Sequence, residues 1–82
     1  MKLQPTEKPT LQQIRQQTKT LDGQIITRQL LAEKTGLTYG EVYLADVGGH
    51  LTEAKVRKVL WAFNALSGRD LTAHDIKRGG SH

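Results

Sequence analysis

Residues 30–49 read LLAEKTGLTYGEVYLADVGG, and this stretch decides the fold class of the chain. Two short segments with apolar residues at helical spacing meet at the corner Gly36-Leu37-Thr38. A connection of three or four residues that contains glycine is typical of a helix-turn-helix. Gly36 permits a positive φ where the first helix ends, and Thr38 is suited to begin the second. The stretch therefore predicts two helices that turn sharply at Gly36.

Threonines mark the expected helix starts along the rest of the chain. A threonine at the N-cap accepts a hydrogen bond from an orphan backbone N–H of the first turn. Gln13 and Glu41 follow two of these threonines at the spacing of a capping box. At four of the five expected N-caps, an apolar residue just before the threonine and another at the fourth helical position have the spacing of a hydrophobic staple. The five expected N-caps are Thr10, Thr27, Thr38, Thr52 and Thr72.

These signals predict an all-α fold, a compact bundle of four to five short helices with a helix-turn-helix. The helices are expected over about 11–19, 28–35, 39–47, 53–67 and 73–78, and no segment has a strand pattern. The segment 53–67 has the widest apolar face, so we expect it to be the central helix. Trp61 and Phe63 are expected in or near the core, with Ala54 and Ala65 widening that face. Leu21 is expected to continue the apolar face of the first helix.

The chain has 82 residues, so one domain is expected. A flexible arm is predicted over 1–9, the helix-turn-helix domain over 10–78, and a linker or tag remnant over 79–82. No apolar run reaches the roughly 20 residues of a membrane helix, and no cysteine is present. A soluble, cytoplasmic protein is therefore the expectation.

The side chains favour a binding protein over an enzyme. The sequence suggests no pocket that would hold paired carboxylates or a Ser-His-Asp triad. His50 and His74 lack metal-ligand spacing. No enzyme activity, metal or other cofactor is predicted. The net charge of +4 is compatible with a polyanionic partner. However, residues 27–49 carry two basic and three acidic side chains, so the positive charge lies outside this stretch.

The stretch TRQLLAEKTGLTYGEVYLADVGG, residues 27–49, resembles the core of the lambda-repressor-like (Cro/Xre-type) helix-turn-helix domains. The resemblance continues through KVLWAFNALSGRDLTAHDI and covers about residues 10–76. The features that carry it are the Leu31-Ala32 pair, the corner at Gly36-Leu37-Thr38, Val42 in the second helix of the motif, and Asp46 with Gly48 at its end.

The resemblance implies binding to duplex DNA, and we expect a transcriptional regulator, with a homodimer left open. Members of this family place the second helix of the motif in the major groove. The matching groove-facing positions are Thr38, Tyr39, Gly40 and Tyr43. Phosphate contacts are expected at the start of the preceding helix, from Thr27, Arg28 and Gln29, and around the start of the next, from Gly49, His50, Thr52, Lys55 and Lys58.

Two features keep an alternative open. The third helix has no Arg, Lys, Gln or Asn, the usual readers of base edges, and Leu44 stands where the family often has a polar residue. The stripe Tyr39, Tyr43 and Val47 could instead contact protein, which would make the chain a protein-interaction module. Arg28 opposes the helix dipole, so a phosphate role for it is left open. Asp46 is expected to bond the loop between the third and fourth helices.

Overall fold

A computed structural model of the protein describes residues 8–77. Its helices are α1 (Leu11–Gln16), α2 (Arg28–Thr35), α3 (Tyr39–Val47), α4 (Glu53–Ser67) and a 3₁₀ helix at Ala73–Asp75. No strand is present in this part of the chain, where a single antiparallel bridge joins Lys19 and Ile25. The prediction of a small all-α bundle is confirmed. None of the described helices is long and apolar enough to cross a membrane.

All five threonines cap the helices that they were expected to begin. At α3, Thr38 Oγ1 accepts from the backbone N–H of Glu41 at 3.1 Å, and Glu41 Oε1 accepts from the N–H of Thr38 at 3.0 Å. At α2, Thr27 Oγ1 accepts from the N–H of Leu30 at 3.1 Å. Each cap satisfies backbone groups that the helix itself leaves without a partner.

Gly36 ends α2 with a φ of 78°. A residue with a side chain rarely adopts this left-handed conformation, so glycine is the residue that closes the helix at low cost. Three residues, Gly36 to Thr38, then connect α2 to α3. The short connection brings α2 and α3 into contact, and both also pack against α4.

The core lies between α4 and the three shorter helices. Phe63 and Val59 of α4 are fully buried in one cluster with Leu11 of α1, Leu31 of α2 and Val42 of α3. Ala62 of α4 is fully buried as well. The prediction that Phe63 lies in the core is therefore confirmed, and α4 has more buried residues than any other described helix, although α1 packs on α3 and not on α4.

The prediction that Trp61 lies in or near the core is wrong. Trp61 is 60% exposed, and Ala54 and Ala65 are exposed too. Successive helical residues are about 100° apart, so Trp61 is rotated away from Leu60 toward solvent. Ala62, three residues after Val59, is fully buried on the inner face of α4 instead. A small side chain there allows neighbouring helices to approach α4 closely.

The first helix is shorter than predicted, because it ends at Gln16 rather than near residue 19. The Thr18 hydroxyl donates to the carbonyl of Ile14 at 2.7 Å, and the chain then turns back at the bridge between Lys19 and Ile25. Leu21 consequently lies outside the helix and is 77% exposed, so its expected place on the apolar face of α1 is also wrong.

The two chain ends are only partly described. Of the predicted arm, Lys8 and Pro9 are described, and the Pro9 carbonyl accepts from the backbone N–H of Lys77 at 2.8 Å. The final helix was expected to extend to about residue 78 but covers only Ala73–Asp75. Residues 1–7 and 78–82, including the predicted tag remnant, lie outside the described part of the chain.

The contrast between Phe63 and Trp61 predicts opposite responses to truncation. Phe63→Ala should lower the free energy of unfolding by about 3–5 kcal/mol, because it leaves a cavity between packed helices. Trp61→Ala removes a larger side chain but should change it by no more than about 1 kcal/mol, because the indole is mostly in water. Urea denaturation of both variants in dilute solution measures the difference, and equal losses would contradict this assignment of the core.

Candidate nucleic-acid interface

Asp46 is a fully buried carboxylate on α3. It lies four residues after Val42 and directly after Ala45, so all three share the buried face of the helix. Arg15 of α1 binds it with two hydrogen bonds, from Nε to Oδ1 and from Nη2 to Oδ2, each 2.9 Å long. The Nη1 atom of Arg15 also donates to the carbonyl of Ile26 at 2.8 Å. All three guanidinium nitrogens of Arg15 are therefore engaged inside the protein.

Arg28 is the second cation on this carboxylate. Its Nε donates to Asp46 Oδ2 at 2.8 Å, and its guanidinium carbon lies 4.8 Å from the centre of the Tyr43 ring. The hydrogen bond to Asp46 first, and the nearby Tyr39 second, raise the pKa of Arg28. The Arg28 side chain keeps 21% of its surface exposed, whereas that of Arg15 keeps 10%. Arg28 is thus held at the protein surface, against both tyrosines of α3.

The prediction that Asp46 bonds the loop after α3 is wrong. Its partners are two arginines from α1 and α2, and the loop is closed by a backbone hydrogen bond from Gly49 to the carbonyl of Leu44, at 2.7 Å. Because two arginines share one carboxylate, the cluster retains one net positive charge. Asp46 also offsets the unfavourable position of Arg28 at the positive end of the α2 dipole.

A second ion pair joins the first turns of α3 and α4. Lys55 Nζ donates to Glu41 Oε2, while the other oxygen of Glu41 caps α3. Lys55 first, and the backbone N–H of Thr38 second, hold the pKa of Glu41 below its ordinary value. Both side chains remain partly exposed, so solvent screens this pair. Lys55 is consequently a partly neutralised cation at the start of α4.

The structure brings some of the predicted DNA contacts together. Arg28, Tyr39 and Tyr43 form one group, which we call the Arg28–tyrosine face. Tyr39 is 53% and Tyr43 is 44% exposed. Lys55 is linked to Thr38 through Glu41 and forms a second group. Gly40 is exposed, and only the Thr38 hydroxyl would lie within 4 Å of an added Cβ.

The remaining predicted contacts are less clearly associated with these groups. The hydroxyls of Thr27, Thr38 and Thr52 accept the capping hydrogen bonds of their helices, so each hydroxyl oxygen already has one partner within the protein. Gln29 Nε2 lies 3.5 Å from Glu33 Oε2 on the surface of α2. His50 and Lys58 are exposed, and Gly49 is half-buried against Leu44. Leu44 itself is half-buried, and its side chain packs against Gly49 in the loop after α3.

Sequence reasoning missed Arg15 entirely. The available signal was Asp46, which follows Val42 and Ala45 at buried helical positions, because a buried carboxylate requires a cation or several hydrogen-bond donors. That signal predicts that a partner exists but does not choose among the chain's basic residues. Arg15 is 31 positions away along the chain, so only the packing of α1 against α3 identifies it.

When the chain is compared with protein-family models, with curated proteins and with solved structures, nothing matches. The resemblance to the Cro/Xre-type domains therefore stays a prediction, and the function has to be argued from the residues themselves.

Removing the charge of Asp46 should destabilise the protein strongly. Asp46→Asn leaves two arginines facing a neutral amide, and breaking a buried ion pair on one side typically costs about 3–5 kcal/mol. Glu33→Gln makes the same change of charge on the exposed face of α2 and should have an effect below about 0.5 kcal/mol. Urea denaturation compares the two variants, and a loss for Asp46→Asn as small as that for Glu33→Gln would contradict a structural role for the cluster.

The pair between Lys55 and Glu41 predicts a local change in titration. Lys55→Gln should raise the pKa of Glu41 toward its ordinary value, whereas Lys58→Gln should leave it unchanged. A carboxylate with a lowered pKa in the folded state stabilises the protein above its unfolded-state pKa and loses this effect as the pH falls through its folded-state pKa. Lys55→Gln should therefore make the N-terminus of α3 less sensitive to acid. NMR titration of the Glu41 side chain checks this, and equal pKa values in both variants would contradict the pair.

Proposed function

We propose that the protein is a non-enzymatic DNA-binding domain that contacts duplex DNA through α2, α3 and the start of α4, and that it acts as a transcriptional regulator. The observation that carries this proposal is the position of Arg28. Its guanidinium is oriented by Asp46 and Tyr43, yet part of it remains exposed at the surface of the Arg28–tyrosine face.

Arg28 is suited to hold a phosphate. Asp46 engages only its Nε, and the two terminal nitrogens carry four further N–H groups. An arginine binds phosphate best when two of its N–H groups, held in a fixed plane, donate to it together. The hydrogen bond to Asp46 and the contact with the Tyr43 ring restrict the guanidinium plane of Arg28 before any ligand binds. Arg28 is also the first residue of an eight-residue helix, whose N-terminal N–H groups attract anions.

The start of α3 supplies a surface that can enter a groove. The hydroxyls of Tyr39 and Tyr43 can donate to phosphates or to base edges, and their rings can pack on thymine methyl groups. Gly40 has no side chain at this point, so a sugar-phosphate backbone could approach α3 closely. Thr38 would contribute its hydroxyl beside them.

The start of α4 would contribute a weaker phosphate contact. His50 and Thr52 are exposed there, and Lys55 follows in the first turn. Because Lys55 already binds Glu41, it would bring less than a full positive charge to a phosphate. The Asp46 cluster has one net positive charge, and Lys55 of α4 is already paired with Glu41. We therefore expect a modest affinity for DNA that depends only weakly on salt concentration.

A protein-interaction module is the second candidate. The specific observation in its favour is that α3 exposes two tyrosines but carries no Arg, Lys, Gln or Asn. Tyrosine is enriched in protein interfaces, where its ring packs and its hydroxyl finds a partner. In this case the Arg28–tyrosine face would bind protein, and its affinity for DNA would be negligible.

Replacing Arg28 tests the DNA proposal. Arg28→Gln should weaken binding to a labelled random duplex about tenfold at low salt and should reduce the slope of log K against log salt by about 0.9, one phosphate contact. Arg57→Gln is the matched control, because Arg57 is a highly exposed arginine paired with Glu53 on α4. Fluorescence anisotropy measures both affinities, with circular dichroism to verify the fold. Equal weakening by the two variants would indicate unspecific attraction and contradict the proposal.

An NMR titration of the labelled protein with the same duplex separates the two candidate functions. DNA binding predicts shifts that cluster at 27–29, 38–43 and 50–55 and that fade at high salt. If the duplex causes no shifts, or shifts only outside these segments, the proposed DNA interface is wrong and the protein-interaction candidate is favoured.

A further inference from the structure

Arg15 belongs to the Asp46 cluster but has no part in the proposed DNA surface. Its side chain is only 10% exposed, and its three guanidinium nitrogens donate to Asp46 and to the carbonyl of Ile26. Each nitrogen is therefore engaged inside the protein and is poorly placed to contact a ligand. Any effect of Arg15 on the surface must pass through Asp46, because this carboxylate also binds Arg28.

The two arginines bind the carboxylate in different ways. Arg15 spans it, with Nε on Oδ1 and Nη2 on Oδ2, each at 2.9 Å. Arg28 contacts Oδ2 through Nε at 2.8 Å. A guanidinium beside a carboxylate often donates two parallel hydrogen bonds, one to each oxygen. Because Arg15 occupies Oδ1, Arg28 binds Asp46 at one oxygen, and its terminal nitrogens are not drawn toward the carboxylate.

Arg15 also determines how much positive charge Arg28 retains. The pair of Arg15 and Asp46 is already neutral, so Arg28 adds a charge that the cluster does not cancel. Without Arg15, Arg28 would be left to balance a carboxylate that is fully buried. A buried charge is costly unless it is paired, so the carboxylate would then draw the guanidinium of Arg28 inward and neutralise it.

The aromatic neighbours of Arg28 do not have this effect. The centre of the Tyr43 ring lies 4.8 Å from the guanidinium carbon, and Tyr39 is also close. A ring face attracts the cation without cancelling its charge. Among the contacts within residues 8–77, the acidic partner of Arg28 is Asp46. The charge available at this point of the surface is therefore set by how Asp46 is shared between the two arginines.

We propose that Arg15 is a positioning residue for DNA, which keeps the terminal N–H groups and the charge of Arg28 available to a phosphate without touching the ligand. This inference rests on the proposed function, because it concerns the same phosphate contact. It adds a requirement to that contact: two arginines must share Asp46, since Arg28 alone would be neutralised by it.

Hydrogen exchange at the guanidinium groups tests the inference without DNA. In nitrogen-15 NMR spectra of the unaltered chain, the Nη protons of Arg28 should exchange with water faster than those of Arg15. Arg15→Met keeps an unbranched side chain but removes its charge and its donors. In this variant the Nη protons of Arg28 should exchange more slowly than before, because they now bind Asp46. Equal rates for the two arginines of the unaltered chain, or an unchanged rate for Arg28 in the variant, would overturn the inference.

The salt dependence of DNA binding is the second test. Arg15→Met should weaken binding to a labelled random duplex about tenfold at low salt and lower the slope of log K against log salt by about 0.9, as if the phosphate contact itself were removed. Arg15→Lys retains a cation on Asp46 and should restore most of the affinity and of the slope. Arg57→Met is the matched control, because it removes an arginine that is paired with Glu53 on α4, and it should leave the slope unchanged.

The outcomes separate this inference from the proposed function. If the unaltered chain does not bind the duplex, the proposed function is wrong, and the exchange rates still decide whether Arg15 controls Arg28. If the chain binds but Arg15→Met has the same slope as Arg57→Met, Arg15 is only structural and the inference is wrong. Circular dichroism verifies that each variant is folded. The comparison of Arg15 with Arg28 in the unaltered chain needs no variant, so it can overturn the inference even if Arg15→Met does not fold.

Discussion

The buried carboxylate of Asp46 is the constraint on which the arrangement of the first three helices depends. It takes hydrogen bonds from Arg15 of α1 and Arg28 of α2 while it sits on α3, so a single group joins three elements. These helices have six, eight and nine residues, lengths at which an isolated helix is not stable in water. Their stability therefore comes from packing and from contacts between helices. An ion pair away from water contributes little net stability when formed, but it strongly disfavours any packing that leaves one charge without a partner. We interpret the cluster mainly as a device that selects one arrangement of α1, α2 and α3.

The same cluster shapes the surface that we propose for DNA. Arg15 is fully engaged and structural, whereas Arg28 uses one nitrogen for Asp46 and keeps the rest near the surface beside two tyrosines. Its position is therefore set by the core rather than by a flexible surface chain. The pairing of Lys55 with Glu41 has a similar consequence at the start of α4. Both cations are therefore oriented and partly neutralised by an acidic residue of α3.

The aromatic residues lie in three different places in the structure. Phe63 is buried and holds α4 against the other helices, while Tyr39 and Tyr43 lie on the outer face of α3 and Trp61 on that of α4. The proposed DNA surface therefore uses the two tyrosines of α3 and not Trp61.

The sequence by itself determined the features that depend on neighbours three or four residues away. The threonine caps, the turn at Gly36 and the inner face of α4 all follow from such local patterns, and the structure has each of them. In the candidate site, the sequence named Arg28, Tyr39 and Tyr43 but could not show that they touch. Only the tertiary structure chose Arg15 as the partner of Asp46, ended α1 at Gln16 and left Trp61 in solvent. These outcomes depend on which helix packs against which, and a local pattern records that a residue is apolar or charged without recording what lies opposite it.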